Sequence, residues 1–414
     1  MSAMPVRNEP VSVPAETGAK SGLRILFVLV PAFHPNDGGV QMSTYKLSTH
    51  FAEKGHRVSV FSFSGHGHLE TSSVRIHHPS SEGIKVDEKS LTALRETLRV
   101  EKPEIVINQM PYEQTISEFL FREKSYLLLG CLRNTLFSVR ANLEEYVKKV
   151  TPGPFEWLAA FRSMQNLYLW LHRQRHKAQL EKILAAHDVF IMFGPPNMDE
   201  LRYFIPNFDE SRIGLIPNSI PEVCELVPGK AKRFLWLGRV EHGQKRADLI
   251  IPIWQKLSRK LVDWELDVVG DGPLLNELKE KAKAAGLDRI HFHGRQSPAP
   301  FYQSASIFFM TSVFEGFPNT LVEAQSFGCV PVVFDSYPMA KWILPDAAGG
   351  VRVPRLDVEK MVEALHFLAS DHEGRHLAAQ QSLDNARRFH IEKVGEHWET
   401  LFTKLLNTRV DGVT

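Results

Sequence analysis

Two glutamates, Glu315 and Glu323, stand with seven residues between them in the stretch from Met310 to Pro331. A carboxylate accepts hydrogen bonds strongly and cannot donate while ionised, which suits both to holding hydroxyl groups. An apolar run at 307–310 leads into their loop, which contains Gly316 and Pro318, and a helical pattern follows. Asn319 or Thr320 is the expected N-cap, Leu321, Val322 and Ala324 the buried side, and Gly328 the stop. The first turn of such a helix has unpaired N–H groups and the positive end of its dipole, which attract an anion such as a phosphate. Amides for phosphates beside carboxylates for sugar hydroxyls suit a nucleotide-sugar. The same spacing also fits any strand–loop–helix unit with solvated glutamates, so the rest of the chain decides.

Two cations have a matching position. Arg239 and Lys245 follow an expected strand, Arg233 to Gly238, within or beside a polar loop, where they could clamp a diphosphate or simply be solvated. Near the start, Leu23 to Val30 reads as a strand buried on both faces, followed by a loop with Gly38 and Gly39, a helix from about Met42 to Lys54, and a second strand from Arg57 to Phe63. In this βαβ unit the two glycines let backbone come close to a ligand at the sheet's carboxyl edge. No G-x-G-x-x-G fingerprint follows the first strand. The nearest approach is Gly270-Asp271-Gly272, which weakens a dehydrogenase reading.

Further strands are expected at Glu104–Asn108, Tyr126–Cys131 and Val189–Phe193, with Ile216-Pro217-Asn218-Ser219 ending the first half. Residues 221–232 read as a linker. The alternation then restarts, with strands at Arg233–Gly238, Trp264–Val269, His291–His293, Ile307–Met310 and Val330–Phe334 and helices at Leu249–Lys260 and Leu274–Ala285. Strands alternating with helices in both halves imply two doubly wound parallel sheets, with ligands bound between their carboxyl edges. The expected organisation is a tail at 1–21, an N-terminal Rossmann-like domain at 22–222, a C-terminal one at 231–390, and a closing helix at 391–407 that packs back on the first domain. One segment stands apart, Pro152 to Lys177. Trp157, Leu158, Phe161, Met164, Leu167, Tyr168 and Leu171 recur there at helical spacing before the basic run 172–177. It is either a surface meeting a membrane or lipid-linked acceptor, or a helix packed on the first domain.

The chain's 414 residues suffice for two cores, and Lys plus Arg exceed Asp plus Glu by one, so nothing in the balance calls for nucleic acid. Cys131, Cys224 and Cys329 lie far apart without metal-ligand spacing, which favours a reducing compartment. No stretch is apolar over a membrane-spanning length, and the first 21 residues lack an apolar signal core, reading as a disordered tail. A cytoplasmic protein is expected.

Leu235 to Val240 with Lys245-Arg246, then Val269 to Pro273, then Glu315 to Glu323 resemble the C-terminal domain of retaining glycosyltransferases of family GT4, which have the GT-B fold. The glutamates match that family's E-x7-E pattern. The resemblance is strong over about 231–345 and weaker around the Gly38-Gly39 loop and Ile216-Pro217-Asn218. It implies that Arg239 and Lys245 hold the donor diphosphate, with Gly39 approaching it from the first domain beside Gly38. Glu315 would bind the transferred sugar beside the amides of Gly316 and Phe317, while amides around Asn319, Thr320 and Leu321 touch phosphate. Glu323 would hold the ribose, and the backbone near Gly270 and at Arg295 would meet the nucleotide. Where many relatives carry a histidine, this chain has Arg133 and Asn134, the expected acceptor-side residues. The implied substrates are a nucleotide-sugar, UDP before GDP, and a glycan or lipid-linked acceptor at the inner face of a membrane. With no Asp-x-Asp triplet in the sequence, neither metal nor other cofactor is expected. A catalytically idle GT-B subunit, or a hydrolase, epimerase or phosphate-linked-sugar enzyme on this fold, are the alternatives.

Overall fold

The computed structural model describes residues 22–69, 71–80, 83–151, 153–220, 222–226 and 229–411. The expected tail, Pro152 and part of the linker lie outside them. The first sheet has seven strands: β1 (Arg24–Leu29), β2 (Arg57–Ser62), β3 (Arg75–His77), β4 (Ile105–Asn108), β5 (Leu127–Cys131), β6 (Val189–Met192) and β7 (Ile213–Leu215). They are all parallel, in the order β3-β2-β1-β4-β5-β6-β7. The uninterrupted apolar runs of β1, β4 and β5 are buried on both faces, because crossover helices cover each side of a parallel sheet.

The second sheet has six: β8 (Ala231–Leu237), β9 (Glu265–Val269), β10 (Ile290–Gly294), β11 (Ala305–Met310), β12 (Val330–Asp335) and β13 (Val351–Pro354). Their order is β10-β9-β8-β11-β12-β13, again all parallel. Strands β3, β7 and β13 are absent from the sequence expectations for one reason. Each is a short outer strand, one holding Gly214 and another ending in Pro354, so none carries the apolar run of an inner strand. The expected linker is also too long at its end, since β8 begins at Ala231, and Cys224 N–H donates to the Ser326 carbonyl at 2.8 Å.

The closing helix, Ile391–Asp411, returns to the first sheet as expected and is longer than the pattern suggests. Trp398 and Phe402 bury against Phe51, with ring centroids 6.4 and 5.5 Å away. The chain thus passes between the lobes twice, near Ile220 and near Ile391. These passages bond to each other, Ile220 N–H to the Phe389 carbonyl and Ile391 N–H to the Ile220 carbonyl, both at 2.9 Å. An apolar cluster also spans the lobes, with Phe193 of the first 5.7 Å from Phe317 of the second, and Phe317 5.6 Å from Phe389.

The long helix Arg162–Ala186 is tied to the first sheet at its end by His187, which is 1 % exposed. Its Nδ1–H donates to the Ile183 carbonyl at 2.8 Å, and the Asn108 amide donates to Nε2 at 3.1 Å. Burial lowers its pKa to about 4. The folded chain therefore favours the neutral ring, and this stabilisation is complete above the unfolded value near 6.5 and drains away as pH falls through about 4. Stability is expected to drop by roughly 2 kcal/mol from this group alone by about pH 5. Urea titrations from neutral pH downward check it, and a flat profile across that window would contradict the assignment.

Candidate active site

The second lobe supplies a loop and a helix start. After β8 the chain enters residues 238–246, which the Glu241 carboxylate organises by accepting from the N–H groups of Gly243, Gln244 and Lys245 at 3.0, 2.8 and 2.7 Å. Thr311 Oγ1 donates to the Lys245 carbonyl at 2.6 Å and accepts from Trp236 Nε1 at 2.9 Å, which pins the loop to β11. Gly270 has φ +138°, and a Cβ there would stand 1.8 Å from the Gly238 carbonyl oxygen. Its glycine identity is thus explained by close packing beside Arg239, which it helps to place.

The loop brings Lys245 and Gln244 onto Glu315. Lys245 Nζ lies 2.6 Å from Oε1 and Gln244 Nε2 lies 2.8 Å from Oε2, with the glutamate only 6 % exposed. Both carboxylate oxygens are therefore held. Arg239 is exposed. Tyr337, the residue before the helix Pro338–Ile343, buries its hydroxyl without a partner, and burial together with the Glu315 charge drives its pKa up.

The helix Asn319–Ser326 starts one residue earlier than an asparagine N-cap at 319 requires. Pro318 occupies the cap, no side chain caps the helix, and Asn319 is its first residue. The Asn319 side chain is turned toward the first lobe instead. Its Oδ1 accepts from Asn218 Nδ2 at 3.1 Å, and Asn218 Oδ1 accepts from Ser43 Oγ at 3.0 Å. The first lobe's helix Gly39–Glu53 begins earlier than expected, at Gly39, whose Cβ position is 3.3 Å from Asn319 Nδ2. The amino ends of two helices from opposite lobes thus meet across the gap, a favourable setting for an anion.

Glu323 is held from both lobes. Lys46 Nζ, on the Gly39–Glu53 helix, reaches Oε1 at 3.1 Å and also the Ser219 carbonyl at 3.3 Å, while Tyr302 OH donates to Oε2 at 3.3 Å. Arg295 pairs across the gap with Asp37 at 3.1 Å. Beyond β5, Arg133 and Asn134 precede Thr135 and Leu136, which the buried Glu200 anchors through Thr135 Oγ1 at 2.7 Å and Leu136 N–H at 2.8 Å. A Cβ on Gly316 would stand 2.7 Å from Asn134 Cα, so the lobes touch beside Glu315.

Arg239, Lys245, Glu315, Gly316, Phe317, Asn319, Thr320, Leu321 and Glu323 therefore share one seam with Gly38, Gly39, Arg133 and Asn134. Gly270 lies just behind it and Arg295 at its rim. Sequence reading missed Lys46, Gln244, Tyr302 and Tyr337. Only Gln244 had a signal, its place beside Lys245. Buried polar atoms without partners also collect at these strand ends: Gln109 Oε1 and Nε2 after β4, Arg133 Nε after β5, Ser219 Oγ after β7, Ser312 Oγ after β11 and Tyr337 OH after β12. A shielded polar group left unmatched costs about 1–3 kcal/mol, a cost that a polar ligand in the seam relieves.

Two Rossmann-like parallel-sheet lobes meeting at their carboxyl edges define a GT-B fold. The Anabaena protein HepE in complex with UDP and glucose shares it with a TM-score of 0.67 at 12% identity, over 92% of this chain and 100% of that one. Residues 231–371 match the family model Glycosyl transferases group 1. An uncharacterized glycosyltransferase of Haemophilus influenzae is 30% identical over 185 residues, 44% of this chain and 52% of that protein. An undecaprenol-diphosphate-linked GalNAc α-1,4-N-acetyl-D-galactosaminyltransferase of Campylobacter jejuni is 25% identical over 180 residues, 43% of this chain and 50% of that protein. The chain spans about half the length of the curated relatives it matches.

The Lys245–Glu315 pair gives a direct test of this geometry. Lys245→Met leaves a nearly buried carboxylate without its cation and is expected to cost roughly 3 kcal/mol of stability. Adding Glu315→Gln should recover part of that loss, giving a coupling above about 1 kcal/mol in a double-mutant cycle. Strictly additive losses would show that the two charges do not depend on each other.

Proposed function

We propose that the protein is a retaining, metal-independent glycosyltransferase that moves a sugar from a nucleotide-sugar, a UDP-sugar before a GDP-sugar, to a lipid-linked glycan in surface polysaccharide synthesis. The observation that carries the reading is the seam itself. Two fixed carboxylates, two cations, converging helix amino ends and unpartnered polar atoms from both lobes occupy one place. The match of 231–371 to group 1 glycosyl transferases supports the activity. The undecaprenol-linked substrate in the name of the Campylobacter relative supports the acceptor class, and UDP in the Anabaena complex supports the carrier.

In this reading the diphosphate sits between the helix amino ends, with Arg239 and Lys245 on it. Breaking the bond between the anomeric carbon and the phosphate oxygen makes the sugar ring cationic and the leaving diphosphate more anionic. Cations already in place stabilise that charge without reorganising, the work a divalent metal does elsewhere. The acceptor hydroxyl attacks from the same face and passes its proton to the departing phosphate oxygen, so configuration is retained. Glu315 orients sugar hydroxyls and does not attack, since Lys245 and Gln244 already hold both its oxygens. Glu323 takes the ribose hydroxyls, fixed by Tyr302 and by Lys46 from the facing lobe.

Arg239→Ala is expected to lower kcat by about 10²–10³-fold. Its Tm should barely change, since the side chain is exposed. Activity should survive EDTA. Full loss to EDTA with rescue by manganese, or a glycosyl adduct trapped on Glu315, would overturn the mechanism. A panel of nucleotide-sugars read by Tm identifies the donor, since ligand binding to the folded state raises stability by mass action. No shift with any of them would refute the function.

A further inference from the structure

We infer that the helical insertion between β5 and β6, residues 138–177, is a docking element that seats in the headgroup region of an anionic bilayer and holds the rim of the seam against it. The inference deepens the proposed function and rests on its lipid-linked acceptor. Within the insertion, the sequence leaves Pro152 to Lys177 open between a surface and a packed helix. The structure turns large apolar side chains between residues 155 and 171 outward. Phe155, Trp157, Phe161, Leu167, Trp170 and Leu171 are all exposed, Trp157 by 61 % and Trp170 by 58 %. Within the helix Arg162–Ala186, only Leu180 and Ile183, near its carboxyl end, are buried. Exposed apolar side chains scattered singly are ordinary, but a run of large ones marks an interaction surface.

The charge says which partner covers it. Residues 138–177 carry seven lysines and arginines against three glutamates, in a chain whose net charge is +1. Two copies facing each other through this patch would oppose like charges. An anionic lipid surface complements it, and tryptophan and phenylalanine beside arginine and lysine are what an interfacial helix uses. No described helix is long and apolar enough to cross a membrane, which leaves contact along the surface.

Position completes the case. The insertion leaves the first sheet at its carboxyl edge, just after Arg133 and Asn134. At its root Asn142 Nδ2 donates to the Gly243 carbonyl at 3.4 Å, so it rests on the loop that carries Lys245. His176 stacks on Tyr112, just past the carboxyl end of β4, at 5.9 Å. The helix continues amino-terminally from there to Arg162, so this part overhangs the sheet edge by roughly 20 Å. A bilayer under the overhang lies at the mouth of the seam, where a lipid-linked acceptor would present its glycan.

Flotation of the full chain with vesicles of phosphatidylcholine, alone or mixed with phosphatidylglycerol, tests this. The protein should float with the anionic vesicles only, and less in high salt. Trp157→Ser with Trp170→Ser should cut the bound fraction about tenfold. That variant should keep its Tm and its transfer to a short soluble acceptor, while transfer to a lipid-linked acceptor in vesicles falls about tenfold. The docking element is refuted if the wild type ignores anionic vesicles, if the variant binds them equally well, or if the substitutions change only the oligomeric state. If vesicle binding behaves as expected but no nucleotide-sugar is turned over, docking stands and the proposed function falls.

Discussion

A carboxylate withdrawn from water must be met by a cation or by donors, and the seam between the lobes holds two such groups. Glu315 is met within its own lobe, by Lys245 and Gln244. Glu323 is met across the gap by Lys46 and within its lobe by Tyr302. The rest of the architecture makes these meetings possible. The loop after β8 is tied by Glu241 and Thr311 so that Lys245 points at Glu315. The helix from Gly39 is aimed so that Lys46, about two turns along, reaches Glu323 on the facing lobe's helix. One pair is intralobe and the other interlobe, so the site joins a fixed sugar-binding half to a half whose geometry depends on how the lobes meet.

The two layers of polar holding are backed by apolar packing. Phe193, Phe317 and Phe389 form a chain of rings across the lobes beside the seam, and Gly316 allows the Asn134 backbone to pass within van der Waals contact. Phe317 thus serves packing while its neighbour Glu315 serves polar chemistry, which is why loop residues this close in sequence differ so much in surroundings. Among the described residues, positive φ occurs at glycines and at Lys102, Arg246 and Leu356, with Arg246 at φ +48° in the loop that carries Lys245.

Much of this was legible in the sequence, for identifiable reasons. Inner strands of a parallel sheet are buried on both faces, so β1, β4, β5, β11 and β12 announce themselves as apolar runs. Outer strands lack that signature, and β3, β7 and β13 stayed hidden. Within the site, Glu315, Glu323 and Lys245 are marked by spacing within one stretch or at one strand end. Lys46 is not, because its role arises from the pairing of two helices whose relative placement no local pattern encodes. The N-cap went the same way: Asn319 is a good capping residue by type, yet the facing Asn218 captures its side chain. The amphipathic segment around Trp157 shows the limit of periodicity, which marks an apolar face without saying whether protein covers it.

The two passages between the lobes have a mechanical consequence. Because Ile220 and the Phe389–Ile391 backbone bond to each other, the lobes are joined by a single ribbon and not by two separated tethers. Such a joint resists sliding and twisting while permitting rotation about one line. The lobes are thus leaves of one book, with Lys46 and Glu323 on facing pages, and any swing that parts those pages leaves the spine intact.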